Sequence, residues 1–144
     1  MGFRSWIIKP FAWKVARDID RWSQNAIAAQ KKVFEQLIRK GSRTAFGREH
    51  EFDQIEYHKD FIERVPLRDY ESLSPWIDRI IEGEKDVLWP GRPKYFAKTS
   101  GTTSGVKYIP LTRDSIPNHF GTARNALFNY YARTGNGRFL DGKM

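Results

Sequence analysis

Between Lys98 and Lys107 the chain carries five hydroxyl side chains and two glycines: Thr99, Ser100, Gly101, Thr102, Thr103, Ser104 and Gly105, followed by Val106. Linked phosphates need many donors converging on them. Glycines let backbone N–H groups approach, Ser and Thr hydroxyls rotate to meet each oxygen, and lysines supply countercharge. The spacing differs from the loop of the common nucleoside triphosphatases, which places four residues between its glycines and a lysine directly after the second; here three residues separate Gly101 from Gly105. A dinucleotide-binding fold would start a helix at Gly105, whereas Tyr108-Ile109-Pro110-Leu111 has extended character. The competing reading is structural: Ser and Thr with two glycines also make an ordinary hairpin loop, and composition alone does not choose between them.

The other chemistry-bearing types form no constellation. There is no cysteine, so neither a thiol nucleophile, a disulfide framework nor a zinc knuckle is available, and a reducing, cytoplasmic setting fits. His50, His58 and His119 are scattered away from paired carboxylates at ligand spacing; they read as surface histidines, and no side-chain metal site is expected. Ser100 lacks both the Ser-x-x-Lys and the Gly-x-Ser-x-Gly arrangement of hydrolases. The carboxylates from Glu49 to Asp60 read as a solvated face.

Several elements must position the loop. Ile8, Phe11, Val15, Ile19 and Trp22 recur at helical steps over residues 3–22, with Pro10 expected at the first turn or a kink. Asn25 is a candidate cap for a second helix, with Ile27, Phe34, Leu37 and Ile38 as its buried stripe and Gly41 as its stop. Residues 44–47 read as a loop, Tyr57 to Val65 as a short helix ended by Pro66. From Asp69 onward Leu73, Trp76, Ile77, Ile80 and Ile81 are helically spaced, with Gly83 as the stop. Trp89, Pro90, Gly91 and Pro93 make a stiff turn. Strands are predicted over 94–99 and 106–111. A helix follows, capped by Thr112, Asp114 or Ser115, with Ile116, Phe120, Ala123, Leu127 and Tyr130 or Tyr131 on its apolar face and Gly135 to Gly137 breaking it.

A chain of 144 residues with 40% hydrophobic and 15% aromatic content can bury a core. Its net charge of +8 is uneven: +7 over residues 1–50, −4 over 51–97 and +5 over 98–144. A nucleic-acid track needs exposed aromatics interleaved with the basic residues, and most aromatics here sit at core-like positions, so nucleic acid is not an expected partner. Arg4, Lys9 and Lys14 with Pro10 interrupt any secretory core, and no apolar run reaches the roughly 20 residues of a membrane span. The first helix is basic and rich in tryptophan, but such helices dock on their own protein more often than on a membrane. Stable insertion is not expected.

The decisive reading of the loop comes from a resemblance. Thr44-Ala45-Phe46-Gly47, Val65-Pro66-Leu67-Arg68-Asp69-Tyr70-Glu71, Ile77-Asp78-Arg79-Ile80, Leu88-Trp89-Pro90-Gly91 and Lys98 through Pro110 occur in this order. In them the chain resembles the auxin-responsive acyl-acid amido synthetase family, in its bacterial form, within the adenylate-forming enzymes. Their phosphate loop reads Ser/Thr-Ser-Gly-Thr-Thr/Ser followed by a glycine and a lysine. Two departures are present: Val106 stands where a proline usually precedes the lysine, and the stretch from Gly105 to Pro110 is one residue shorter than in the plant sequences.

The resemblance implies a ligase using ATP and Mg²⁺. It activates a small carboxylic acid as an acyl adenylate and then transfers the acyl group to an amine, usually an amino acid. It also implies an α/β fold: a mainly helical layer over 1–93, a strand, phosphate loop and strand over 94–111, and a long helix over 112–134. Ser100, Thr102, Thr103 and Ser104 would be the hydroxyl donors, Gly101 and Gly105 the points of backbone approach and Lys107 the mobile cation, with Thr99 and Lys98 contributing less. The helix after the loop would border the acyl pocket, where Arg124 could meet the substrate carboxylate; without the resemblance Arg124 is a solvated helix arginine. Because the chain stops at Met144 with no closing element, it reads as the amino-terminal part of a larger adenylating domain, expected to be inactive alone. A reading from another class stays open beside it: a non-catalytic basic helical module that binds a protein partner or an anionic surface.

Overall fold

The computed structural model describes residues 3–99 and 105–140. They form six α-helices and one two-stranded antiparallel sheet, an α/β arrangement dominated by helix. The chain divides into two compact units, residues 1–29 with 117–144, and residues 30–116.

In the first unit α1 (Phe3–Gln24) continues through Pro10, which lies beyond the first turn where a proline is harmless. Its buried side is also rotated from the expected one. Ala12 and Ala16 are buried, whereas Phe11 and Trp22 are 61% and 55% exposed. From Pro117 onward α6 (Ser115–Thr134) lies in this unit, with Tyr131 buried and Arg133 ion-paired to Asp20. The apolar face expected of α6 is largely open: Phe120 and Leu127 are 76% and 50% exposed, and Ala123 is exposed too. Gly135, at φ +67°, ends the helix and donates its N–H to the Tyr131 carbonyl.

Asn25 directly precedes α2 (Ala26–Gly41) and its carbonyl accepts from Ala29 N–H at 2.9 Å, while its side-chain amide donates back to the Arg21 carbonyl at the end of α1. Of the predicted stripe only Ile38 is buried, Phe34 is half-buried, and Ile27 and Leu37 are exposed. Phe34 meets the His58 and Phe61 rings edge-on with centroids 6.1 Å away, and α2 ends at Gly41, where a close approach begins.

Of residues 44–47, expected as a loop, Ala45 to Gly47 are helical. Thr44 is the N-cap of α3 (Ala45–Glu49), its hydroxyl accepting from Gly47 N–H at 2.9 Å and donating to the Gly41 carbonyl at 2.7 Å. Ala45 N–H and Phe46 N–H, two donors that a first helical turn leaves free, reach the Asp86 and Val87 carbonyls. His50 is buried, not on the surface: it stacks on Phe46 with centroids 4.0 Å apart. Its Nδ1 meets the Phe46 carbonyl at 2.8 Å and its Nε2 meets Arg68 at 3.1 Å. A carbonyl can only accept and a guanidinium can only donate, so the ring proton sits on Nδ1.

The carboxylates from Glu49 to Asp60 are mostly exposed, as expected, but Asp60 has a structural task. It accepts from Glu56 and Tyr57 N–H at the start of α4 (His58–Arg64). In α5 (Tyr70–Ile81), Pro75 lies inside the helix and has no N–H for the Glu71 carbonyl; the Ser74 hydroxyl donates to that carbonyl instead, at 2.8 Å. Trp76, Ile77 and Ile80 are buried while Ile81 is half exposed. Trp76, Ile80 and Val87 form the core of this unit, with Phe46, Leu73, Leu88 and Phe96 packed against it. The sheet that carries the loop is thereby attached to α5 and α3.

Candidate functional site

Strands β1 (Tyr95–Thr99) and β2 (Lys107–Leu111) pair antiparallel, with Thr99 opposite Lys107 and Lys98 opposite Tyr108. The last pair of the ladder is therefore one predicted hydroxyl donor facing the predicted cation, and residues 100–106 span the gap between them. Ser100, Gly101, Thr102, Thr103 and Ser104 lie outside the described residues. Gly105 has φ +80°, a left-handed conformation, and a Cβ there would meet nothing within 4 Å. Its glycine is thus required by backbone conformation at an open loop exit, not by crowding.

The first turn of α5 grips β2 directly. Tyr70 Oη accepts from Tyr108 N–H at 2.7 Å, Glu71 pairs with Lys107 Nζ at 3.2 Å, and that ammonium lies 5.0 Å from the centre of the Tyr70 ring. Asp69 starts the turn by accepting from Ser72 N–H at 2.9 Å. Neither Tyr70 nor Glu71 was singled out from the sequence as a site residue. Both belong to the Asp-Tyr-Glu triplet just before a helically spaced apolar series, and periodicity carries no information about what such a triplet touches across the fold.

The carboxylates in this turn are held below their ordinary range. For Asp69 the Ser72 hydroxyl and then the Ser72 N–H are the main causes; for Glu71 its own backbone N–H acts first and Lys107 second. A carboxyl lowered in the folded chain stabilises it above the unfolded value, about pH 4, and loses that contribution as pH falls through the lowered value. Asp60, Glu84 and Asp114 are lowered too. The urea midpoint should therefore drop on acidification from pH 6 to pH 3. Asp69→Asn, which keeps an N-cap but cannot titrate, should show a smaller drop; an equal drop would remove Asp69 from the account.

Behind β2, Asp114 accepts from Lys40 Nζ at 2.7 Å and from the Trp89 indole N–H at 3.2 Å. The cap of α6 is Thr112, whose hydroxyl accepts from Ser115 N–H at 3.0 Å, which leaves the Asp114 carboxylate to anchor α2 and the Trp89 turn. A hollow of about 120 Å³ under that turn, lined by Ile80, Val87, Trp89 and Pro110, is apolar. It falls short of the ~300 Å³ at which ligand pockets begin. Arg124 is exposed on α6, in the other unit, and reaches Asn125 Oδ1 at 3.5 Å. Among the described residues no three His, Asp or Glu side chains are grouped to hold a metal, and no helix is long and apolar enough to cross a membrane.

Residues 15–142 match the model of the GH3 family N-terminal domain. An indole-3-acetic acid-amido synthetase of Arabidopsis thaliana, GH3.2, is 29% identical over 105 residues, covering 72% of this chain and 19% of that protein. GH3.15 of the same plant is 33% identical over 94 residues, 64% of this chain and 16% of that protein. GH3.8 of Oryza sativa is 28% identical over 102 residues, 69% and 17% respectively. The chain spans less than a fifth of the length of these relatives.

Proposed function

Because the chain belongs to the GH3 family, we propose that it supplies the triphosphate-binding edge of an ATP-dependent ligase that converts a carboxylic acid to an acyl adenylate and passes the acyl group to an amine. The relatives are named for amide formation on indole-3-acetic acid, which supports a small carboxylic acid as one substrate and an amino acid as the amine. The observation that carries the reading is the mouth of the hydroxyl-rich loop: Thr99 facing Lys107 at the end of a strand pair, with Gly105 in a left-handed turn and free space around it.

In the first step a carboxylate oxygen attacks the α-phosphorus of ATP, a new O–P bond forms, and the bond to the β,γ-diphosphate breaks to release pyrophosphate. In the second step the amine nitrogen attacks the acyl carbon and AMP leaves with the electron pair of the C–O bond, the amine losing a proton. The chain's own part is to hold the departing diphosphate and keep the reactants in line. Thr99, Ser100, Thr102, Thr103 and Ser104 offer hydroxyls, Gly101 and Gly105 allow backbone N–H approach, and Lys107 is the cation at the exit. Bound Mg²⁺ would spread negative charge on the phosphates; the hydroxyl-rich donor set fits a metal arriving with the nucleotide rather than one held by carboxylates.

Thr102→Ala tests the assignment. It should weaken ATP binding by about 1 to 3 kcal/mol, about 5- to 150-fold in Kd, as loss of one charge-assisted hydrogen bond does. Titration calorimetry of the variant and the parent chain with ATP and Mg²⁺ measures it, and equal affinities would overturn the phosphate-loop reading.

A further inference from the structure

Lys107, the cation at the loop's exit, is already engaged. Its ammonium lies 3.2 Å from Glu71 Oε1 and over the ring of Tyr70, and Asp69 also acts on it electrostatically. We propose that Glu71 is a competing counter-ion, from which Lys107 must be transferred to the nucleotide's phosphates, so that Glu71 sets the ATP affinity of the loop. This rests on the ligase reading above.

Three observations point the same way. The backbone beside Lys107 is fixed, because Tyr108 N–H is bonded to Tyr70 Oη and Lys107 is in register with Thr99. Movement of the charge is thus left to the flexible four-carbon stem, whose ammonium carries three rotatable donors and needs no set geometry. The pair is also partly open, with the Glu71 side chain 56% exposed and the Lys107 side chain 29% exposed. Exposed pairs of this kind add little to stability and are readily exchanged. Finally, the charges favour exchange: among the described residues Glu71 is the carboxylate ion-paired with Lys107, whereas a triphosphate bound by the loop would bring several negative oxygens to the same strand end. The plain alternative is that Glu71 merely suits the positive end of α5, as acidic residues in a first turn generally do. In that case its removal would change stability and leave nucleotide affinity alone.

The two are separated by ATP affinities of four chains at low salt: the parent, Glu71→Gln, Lys107→Ala and the double variant. Glu71→Gln should tighten ATP binding about 3- to 5-fold by freeing Lys107, and Glu71→Ala should act in the same direction. Lys107→Ala should weaken binding about 10-fold. In the Lys107→Ala background the Glu71 substitution should change affinity less than about 2-fold, because the ammonium it competed for is gone. Equal tightening in both backgrounds, or no tightening with a parent chain that binds ATP, would overturn the counter-ion role and leave the ligase reading intact. A parent chain that fails to bind ATP at millimolar concentration would overturn both.

Discussion

Gly47→Ala should destabilise the 30–116 unit by about 3 kcal/mol or more, beyond the usual penalty for an overpacked methyl. A Cβ at position 47 would lie 2.0 Å from the Gly41 carbonyl oxygen, 2.6 Å from its carbon and 3.0 Å from Ser42 Cα. All three are backbone atoms, so no side chain can swing aside. Nor can the carbonyl retreat, because it accepts from Thr44 N–H at 2.9 Å and from the Thr44 hydroxyl at 2.7 Å. The end of α2 and the start of α3 are therefore closed on each other through a position that admits only hydrogen. Gly91→Ala makes the control: it has open space around it but φ +83°, and should cost only about 1 kcal/mol through backbone strain. Urea unfolding followed by circular dichroism compares the two. A Gly47→Ala chain as stable as the Gly91→Ala chain would mean that α2 and α3 do not meet as described.

That contact also explains what the sequence could and could not disclose. The strand pair, α4, α5 and the turn at Trp89 to Gly91 were legible because each is announced locally, by alternating or helical spacing between Pro and Gly stops. Residues 44–47 were not, since five helical residues are too few for a period to emerge, and Thr44 caps a helix whose reason for forming is the backbone of Asp86 and Val87 far along the chain. Burial was misread in both long amphipathic helices at the chain's start. Side-chain size marked Phe11, Trp22, Ile27 and Leu37 for the interior, whereas the smaller Ala12, Ala16 and Gly41 are the residues that lie inside. His50 was misplaced for a related reason: a lone histidine carries no sign of the Phe46 ring it stacks on. At the candidate site the residue types of the loop were evident in the sequence and the strands that hold it were placed correctly. The Tyr70 and Glu71 contacts with β2 were not visible, because they are fixed only when α5 and the sheet are brought together.

The motifs that carry the family resemblance are in large part the ones that brace the loop from behind. In Ile77-Asp78-Arg79-Ile80 the two isoleucines are buried, and Arg79 makes a two-pronged pair with Glu84 at 2.8 and 2.5 Å. In Leu88-Trp89-Pro90-Gly91, Trp89 is tied to Asp114, and Gly91 N–H to Asp86 at 2.6 Å. The role proposed for the loop requires ends that stay in place when a charged ligand arrives, and these contacts hold the helix and turns to which the strands are attached.

Trp76 is where that bracing converges, and Trp76→Ala should cost about 3 to 5 kcal/mol, the range for deleting a large buried aromatic. Its ring is 8% exposed, meets Phe46 edge-on at 5.2 Å, lies under Arg79 at 4.9 Å and packs in the core with Ile80 and Val87. Deletion would leave a hole beside Phe46, Ile80 and Val87, and the bonds of Ala45 and Phe46 N–H to the Asp86 and Val87 carbonyls limit how far the backbone around it can close in. The guanidinium of Arg79 would lose its aromatic surface as well, a contact separate from its pair with Glu84. Trp76→Phe retains most of the ring area and should recover at least half of the lost stability. Because α5 carries Tyr70 and Glu71 to β2, loss of Trp76 should also loosen the loop's exit. Faster amide exchange at Tyr108 in Trp76→Ala, under conditions where the chain remains folded, is the expected sign. If Tyr108 exchanges as slowly as in the parent, the α5 core and the strand clamp are energetically independent, and the loop is held by the strand ladder itself.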